Sequence, residues 1–132
     1  MGDRVAMLVV HAGTILMVRQ RYRGRTLWVL PGGSPHPGES PQTTAAREVL
    51  EETGLVTAPG QLLLEVPRPS GTGRYQLVAG RLVGGQQRLG SDRDDHGRAE
   101  LLEVGWRSPD QLDATPERDL ILTALQHPYP PP

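Results

Sequence analysis

Glu48, Glu51 and Glu52 stand at i, i+3 and i+4, so a helix through them sets three carboxylates side by side. Like charges at those spacings cost roughly 0.2–0.5 kcal/mol per pair. They also fall in the last turns before Gly54, a residue suited to a helix C-cap, where the helix dipole is negative and repels them further. The arrangement is unfavourable in an isolated helix and favourable in one that holds a divalent cation. Just upstream, Trp28-Val29-Leu30-Pro31-Gly32-Gly33 reads as a strand ending in a glycine turn, and glycine lets a backbone approach a ligand closely. Carboxylates with a nearby backbone carbonyl form an all-oxygen site of the kind that suits magnesium or manganese. Acid-rich helix faces are more often solvated surface, so the glycines upstream matter to the metal reading.

The helix that must carry these acids is well signalled. Ser40 can cap its start and Pro41 suits its first position, which predicts a helix over 41–53. At about 100° per residue, Ala46, Val49, Leu50 and Thr53 share one arc and the glutamates the opposite one. The expectation is therefore an apolar side packed on a sheet and an exposed acid side. Arg47, four residues before Glu51, is placed to pair with it.

The stretch 33–55 resembles the signature of the Nudix hydrolases, G-x5-E-x7-R-E-U-x-E-E-x-G-U with U a bulky aliphatic residue. Gly33 is followed after five residues by Glu39, and after seven more by Arg47-Glu48. Val49, Glu51, Glu52, Gly54 and Leu55 fill the remaining positions. The resemblance implies a small MutT-like α/β/α sandwich, with a mixed β-sheet between helices. It also implies hydrolysis of a phosphoanhydride in a nucleoside diphosphate linked to another moiety, such as a nucleoside triphosphate, ADP-ribose or another nucleotide sugar. The cofactor implied is Mg2+ or Mn2+.

Residue roles follow from the same resemblance. Glu51 and Glu52 would be metal ligands, and Glu48 a further ligand or the base that positions water. Arg47 would orient the acids, Glu39 would pair with Arg47 and hold the loop against the helix, and Gly32 or Gly33 would turn a carbonyl to the metal. If metal binding consumes all three helix glutamates, a downstream acid must accept the proton from water. Glu100 is the favoured candidate, ahead of Asp94 and Asp95, with Asp92 and Glu103 behind them. Some Nudix-like domains bind nucleotides without catalysis, so a sensor or interaction module is the alternative; such domains usually lose a signature acid, and all are present here.

Around the signature, two apolar runs at 4–11 and 14–19 joined at Ala12-Gly13 read as a hairpin, and 20–25 as a polar, arginine-rich loop. Strands are expected at 26–30, 62–66, 75–83 and 100–107, with a short strand near 86–89 in an exposed loop. A second helix starts at Thr115-Pro116 and packs through Leu120, Ile121, Ala124 and Leu125. Strands and helices in this order suit one core with a sheet between helices. A single domain is expected over 1–127, with the proline-rich tail 128–132 frayed.

Composition bounds the partners. A net charge of −1 provides no basic field for nucleic acid. No run of 18 apolar residues predicts a membrane span, and the start lacks the pattern of a signal peptide. Absence of cysteine excludes thiolate metal sites and disulfides, and suits a cytoplasmic setting. All 14 basic residues are arginine, which excludes a catalytic lysine and leaves bidentate phosphate binders. The partner expected is a small nucleotide, and a monomer and a homodimer both remain open. Tyr22 and Tyr75 are the candidates for stacking on a base and Arg19 for contacting phosphate. Trp28 and Trp106 read as strand core, and His36 as a solvated loop residue.

Overall fold

A computed structural model provides the structure of the chain, and describes residues 2–69, 71–90 and 99–126. Asp92, Asp94, Asp95, His96, His127 and the tail 128–132 lie outside the described residues. The first run forms β1 (Arg4–His11) and the second β2 (Thr14–Tyr22), antiparallel with His11 opposite Thr14. Ala12 and Gly13 both have positive φ, as a two-residue hairpin turn of matching twist requires.

β2 does not stop at Arg19. It continues to Tyr22, turns at Arg23-Gly24 and returns as β3 (Arg25–Val29), with Tyr22 opposite Arg25. The expected arginine-rich loop at 20–25 is therefore a second tight hairpin, with Arg21 on β2, Arg23 in the turn and Arg25 on β3. Nor do Gly32 and Gly33 form a turn: they are β4 (Gly32–Gly33), paired antiparallel with Ala6 and Val5 of β1.

After α1 (Pro41–Thr53) the chain enters β5 (Leu55–Pro67) directly, then β6 (Arg74–Gly85) and β7 (Ala99–Arg107). The strand expected at 62–66 is the second half of β5. Its first half runs through Pro59-Gly60, where the register against β6 slips, as a proline in a ladder demands. Residues 86–89 form no strand. A 3-10 turn, Pro109–Gln111, precedes α2 (Pro116–Leu125).

The strand order is β3-β2-β1-β6-β5, with β4 also against β1 and β7 against β2. β1 and β6 are parallel and the other pairs antiparallel, so the sheet is mixed. Val5 to Val9 are fully buried. Ala6, Leu8, Ile15 and Met17 pack with Ile121 and Ala124 of α2, while Val5, Met7, Val9 and Leu16 pack with Ala45 and Val49 of α1. One strand thus feeds cores on both faces by its period of two, which makes the α/β/α sandwich. Each of the Val, Leu, Ile and Met side chains adds about 1.5–3 kcal/mol on burial, so the central strands are a rigid base for whatever α1 and β4 carry.

Candidate functional site

α1 is built as its ends predict. Ser40 Oγ accepts from Thr43 N at 3.1 Å. Gly54, left-handed at φ 76°, donates its N–H to Leu50 O at 3.0 Å. The buried face, however, is rotated from the expected one. It comprises Thr44, Ala45, Glu48, Val49, Glu52 and Thr53, whereas Leu50 is 46% exposed. Glu48 and Glu52 are buried at 0% and 2% exposure, and Glu51 alone of the three faces solvent. The physical reason is Gly33. A Cβ there would stand 2.6 Å from Glu48 Cδ and 2.7 Å from each of its oxygens, so the carboxylate occupies the space that a side chain would fill. Glu52 Oε1 lies beside Gly32, accepting its N–H at 3.3 Å.

Arg47 ties the acids together. Its Nε and Nη2 donate to the two oxygens of Glu39 at 2.8 and 2.9 Å, a bidentate pair. Nη1 donates to Glu48 Oε2 at 2.8 Å and to Glu51 Oε1 at 3.2 Å. Nη2 also reaches Ser34 O at 3.1 Å, which binds the loop to the helix. Glu39 Oε1 further accepts from His36 N at 2.7 Å and Thr44 Oγ1 at 3.0 Å. The Arg47 hydrogen bond, with help from His36 N–H and Thr44, holds the Glu39 carboxyl at about 2 against the opposing effect of desolvation. The expected pair of Glu39 and Arg47 is formed, as is that of Arg47 and Glu51.

Among the described residues, no three His, Cys, Asp or Glu side chains converge closely enough to hold a metal ion in the arrangement seen. The contacts say why: Arg47 Nη1 bridges Glu48 and Glu51, and Glu52 turns to Gly32. The donor set nevertheless fits a hard divalent cation. It is all oxygen, and two of its carboxylates are buried.

The other candidates are dispersed. Arg19 Nε pairs with Glu103 at 3.1 Å, and Arg21 with Glu100, across the β2–β7 ladder. Both pairs are largely exposed. Glu100, favoured from sequence as proton acceptor, is here committed to Arg21, and Arg19 to a carboxylate rather than held ready for phosphate. Tyr22, at the end of β2, has the Arg23 guanidinium 5.3 Å from its ring centre. Tyr75 is not available to stack on a base: it is 2% exposed within the α2-side core, and its hydroxyl donates to Glu117 Oε2 at 2.7 Å. Burial and then the charge of Glu117 raise its pKa. Trp28 lies under the Arg107 guanidinium, 4.8 Å from the ring centre, and Trp106 Nε1 donates to Gln87.

Two residues were missed. Glu117 Oε1 accepts from Leu30 N at 3.0 Å, and Asp113 Oδ2 from Trp28 N at 2.8 Å. With Arg4 Nη2 on Leu30 O at 3.0 Å, they grip the backbone that leads into Gly32-Gly33. Glu117 in a first helical turn was legible as a dipole partner, but nothing local names a backbone 87 residues away as its target.

The family model of the NUDIX domain matches residues 2–125. A "Putative 8-oxo-dGTP diphosphatase" of Bacillus subtilis is 35% identical over 98 residues, covering 74% of this chain and 60% of that protein. An "ADP-ribose pyrophosphatase" of Mycobacterium tuberculosis is 38% identical over 98 residues, covering 71% and 46%. The chain thus spans between roughly half and two thirds of these relatives' own lengths. In fold it is similar to a NUDIX hydrolase from Nitrosomonas europaea, with TM-score 0.78 and 24% identity over 94% of this chain and 87% of that one. No helix among the described residues is long and apolar enough to cross a membrane.

Proposed function

The chain belongs to the NUDIX domain family, and from that premise we propose that it is a metal-dependent hydrolase of a phosphoanhydride bond in a nucleoside diphosphate linked to another moiety. The observation that carries the reading is the set of signature acids drawn around Arg47 and Gly33, with two carboxylates buried. Glu51 and Glu52, with the Gly33 carbonyl, are the proposed ligands of Mg2+ or Mn2+. When bound, such a cation offsets the charge of the diphosphate oxygens and lowers the pKa of a coordinated water.

The chain's own residues account for the rest. Arg47 is held on Glu39 through Nε and Nη2, which fixes its planar guanidinium, so Glu48 and Glu51 would turn their carboxylates from Nη1 toward the cation. Glu48, over Gly33 and shielded from solvent, is the proposed acceptor of the water's proton. Glu100 is the second claimant, since an exposed pair such as that with Arg21 costs at most about 1 kcal/mol to open. Tyr22 and Arg19 remain the proposed contacts to base and phosphate. The relatives' names point to two different nucleotides, so 8-oxo-dGTP and ADP-ribose are both tested, beside UDP-sugars and ordinary nucleoside triphosphates. The absence of cysteine and a nucleotide substrate suit a cytoplasmic enzyme.

The experiment is a screen of those nucleotides with Mg2+ or Mn2+, scored as phosphate released after a phosphatase is added. Turnover that is lost in excess chelator and in Glu52→Gln is expected. Tight nucleotide binding without turnover of any of them would replace this reading with the non-catalytic sensor.

A further inference from the structure

Residues 86–90 lie across the C-terminal end of α1. Gln86 N donates to Gly54 O at 3.2 Å, Arg88 N to Thr53 O at 2.9 Å and Gly90 N to Glu52 O at 2.9 Å. Alternate N–H groups of one short segment thus meet three consecutive carbonyls. The last carbonyls of a helix have no partner within it and form its negative end, and that is where Glu51 and Glu52 stand. The segment supplies the missing donors and relieves part of the repulsion those acids would meet on a bare helix end.

The fit is closest at Gly90. A Cβ there would stand 1.7 Å from Glu51 O, 2.8 Å from Glu51 C and 3.1 Å from Glu52 Cα. Gly90 therefore rests on the peptide unit that joins the two glutamates. Those contacts are backbone, so no rotamer change can make room. At the other end, a Cβ on Gly54 would meet Gln86 O at 2.2 Å, so the segment is seated at both ends by missing side chains.

We propose that Gly90 is a positioning residue of the acid site. The strap 86–90, closed down on α1 through Gly90, sets the Glu51–Glu52 peptide and thereby where both carboxylates stand relative to Gly33. The inference rests on the metal-dependent reading above and adds to it a residue outside the signature that governs metal affinity.

The test compares Gly90→Ala with Gly84→Ala, a control where nothing lies within 4 Å of the added Cβ. Mn2+ alone is titrated into each protein and free Mn2+ is read by electron paramagnetic resonance, well below melting. kcat and KM are then measured at saturating metal. Gly90→Ala is expected to weaken Mn2+ binding by about tenfold or more, as loss of a support behind metal ligands does, and to lower kcat with KM little changed. Gly84→Ala should match wild type in all three. A folded Gly90→Ala with wild-type Mn2+ affinity and kcat overturns the inference and leaves the proposed function standing. A wild-type protein that binds no Mn2+ overturns both. Should Gly90→Ala fail to fold, Arg88→Pro removes the donor to Thr53 O while keeping Gly90; unchanged Mn2+ binding there overturns the inference equally.

Discussion

Glu39→Gln should destabilise the protein near neutral pH and do so much less in acid. Glu39 accepts from Arg47 Nε, Arg47 Nη2, His36 N and Thr44 Oγ1, and its carboxyl falls from 4.5 to about 2 on folding. The folded state binds this proton more weakly than the unfolded state does. The contribution to stability is therefore complete above about pH 4.5 and is lost as the pH falls toward 2. Taken at about 1.36 kcal/mol per pH unit, the interval caps it at about 3.5 kcal/mol. The side chains of Arg47 and Glu39 retain 18% and 15% exposure, so screening brings the expected value to about 1.5–2 kcal/mol. Urea unfolding of wild type and Glu39→Gln at pH 7 and pH 3, followed by circular dichroism, measures it. The gap in unfolding free energy should shrink by roughly half or more at pH 3. A gap that is the same at both pH values, or absent at pH 7, would refute the reasoning, because it would mean that the ionised pair with Arg47 contributes nothing.

Mg2+ should raise the melting temperature of wild type by mass action, and raise that of Glu52→Gln less; equal shifts in thermal melts would place the stabilising cation elsewhere. Glu48→Gln should lower turnover by about 10²–10⁴-fold, with Glu100→Gln within a few-fold of wild type in the same steady-state assay. The reverse ranking would give the proton to Glu100. Glu117→Ala leaves Leu30 N–H and the Tyr75 hydroxyl without their acceptor and should cost about 2–3 kcal/mol in urea unfolding; a loss under about 0.5 kcal/mol would show that solvent replaces it at no cost.

What the chain alone determined is local. The span of α1 follows from Ser40, Pro41 and Gly54, and the hairpin at Ala12-Gly13 from two residues between apolar runs. α2 follows from Thr115, Pro116 and an apolar stripe that the core does bury. The pairing of Glu39 with Arg47 was expected from the resemblance of 33–55 to the Nudix signature, and the structure forms it. Such features depend on backbone chemistry within a dozen residues, and the spacing of the side chains expresses them directly.

What only the tertiary structure decided is which way those elements face and what meets them. Periodicity placed Leu50 inside and the glutamates outside. Yet β4 presents a glycine whose missing side chain leaves a carboxylate-sized space, and the helix turns Glu48 into it while Leu50 stays in solvent. Tyr75 looked free to stack until Glu117 of α2 took its hydroxyl. Arg19 looked free for phosphate and Arg21 like a loop residue until β7, about 80 residues on, set Glu103 and Glu100 opposite them. The short strand expected near 86–89 does not form, because the hydrogen bonds of that segment go to the end of a helix rather than to a strand. In each case the deciding partner is remote in sequence, and burial is a property of the assembled surfaces, which no local window of residues contains.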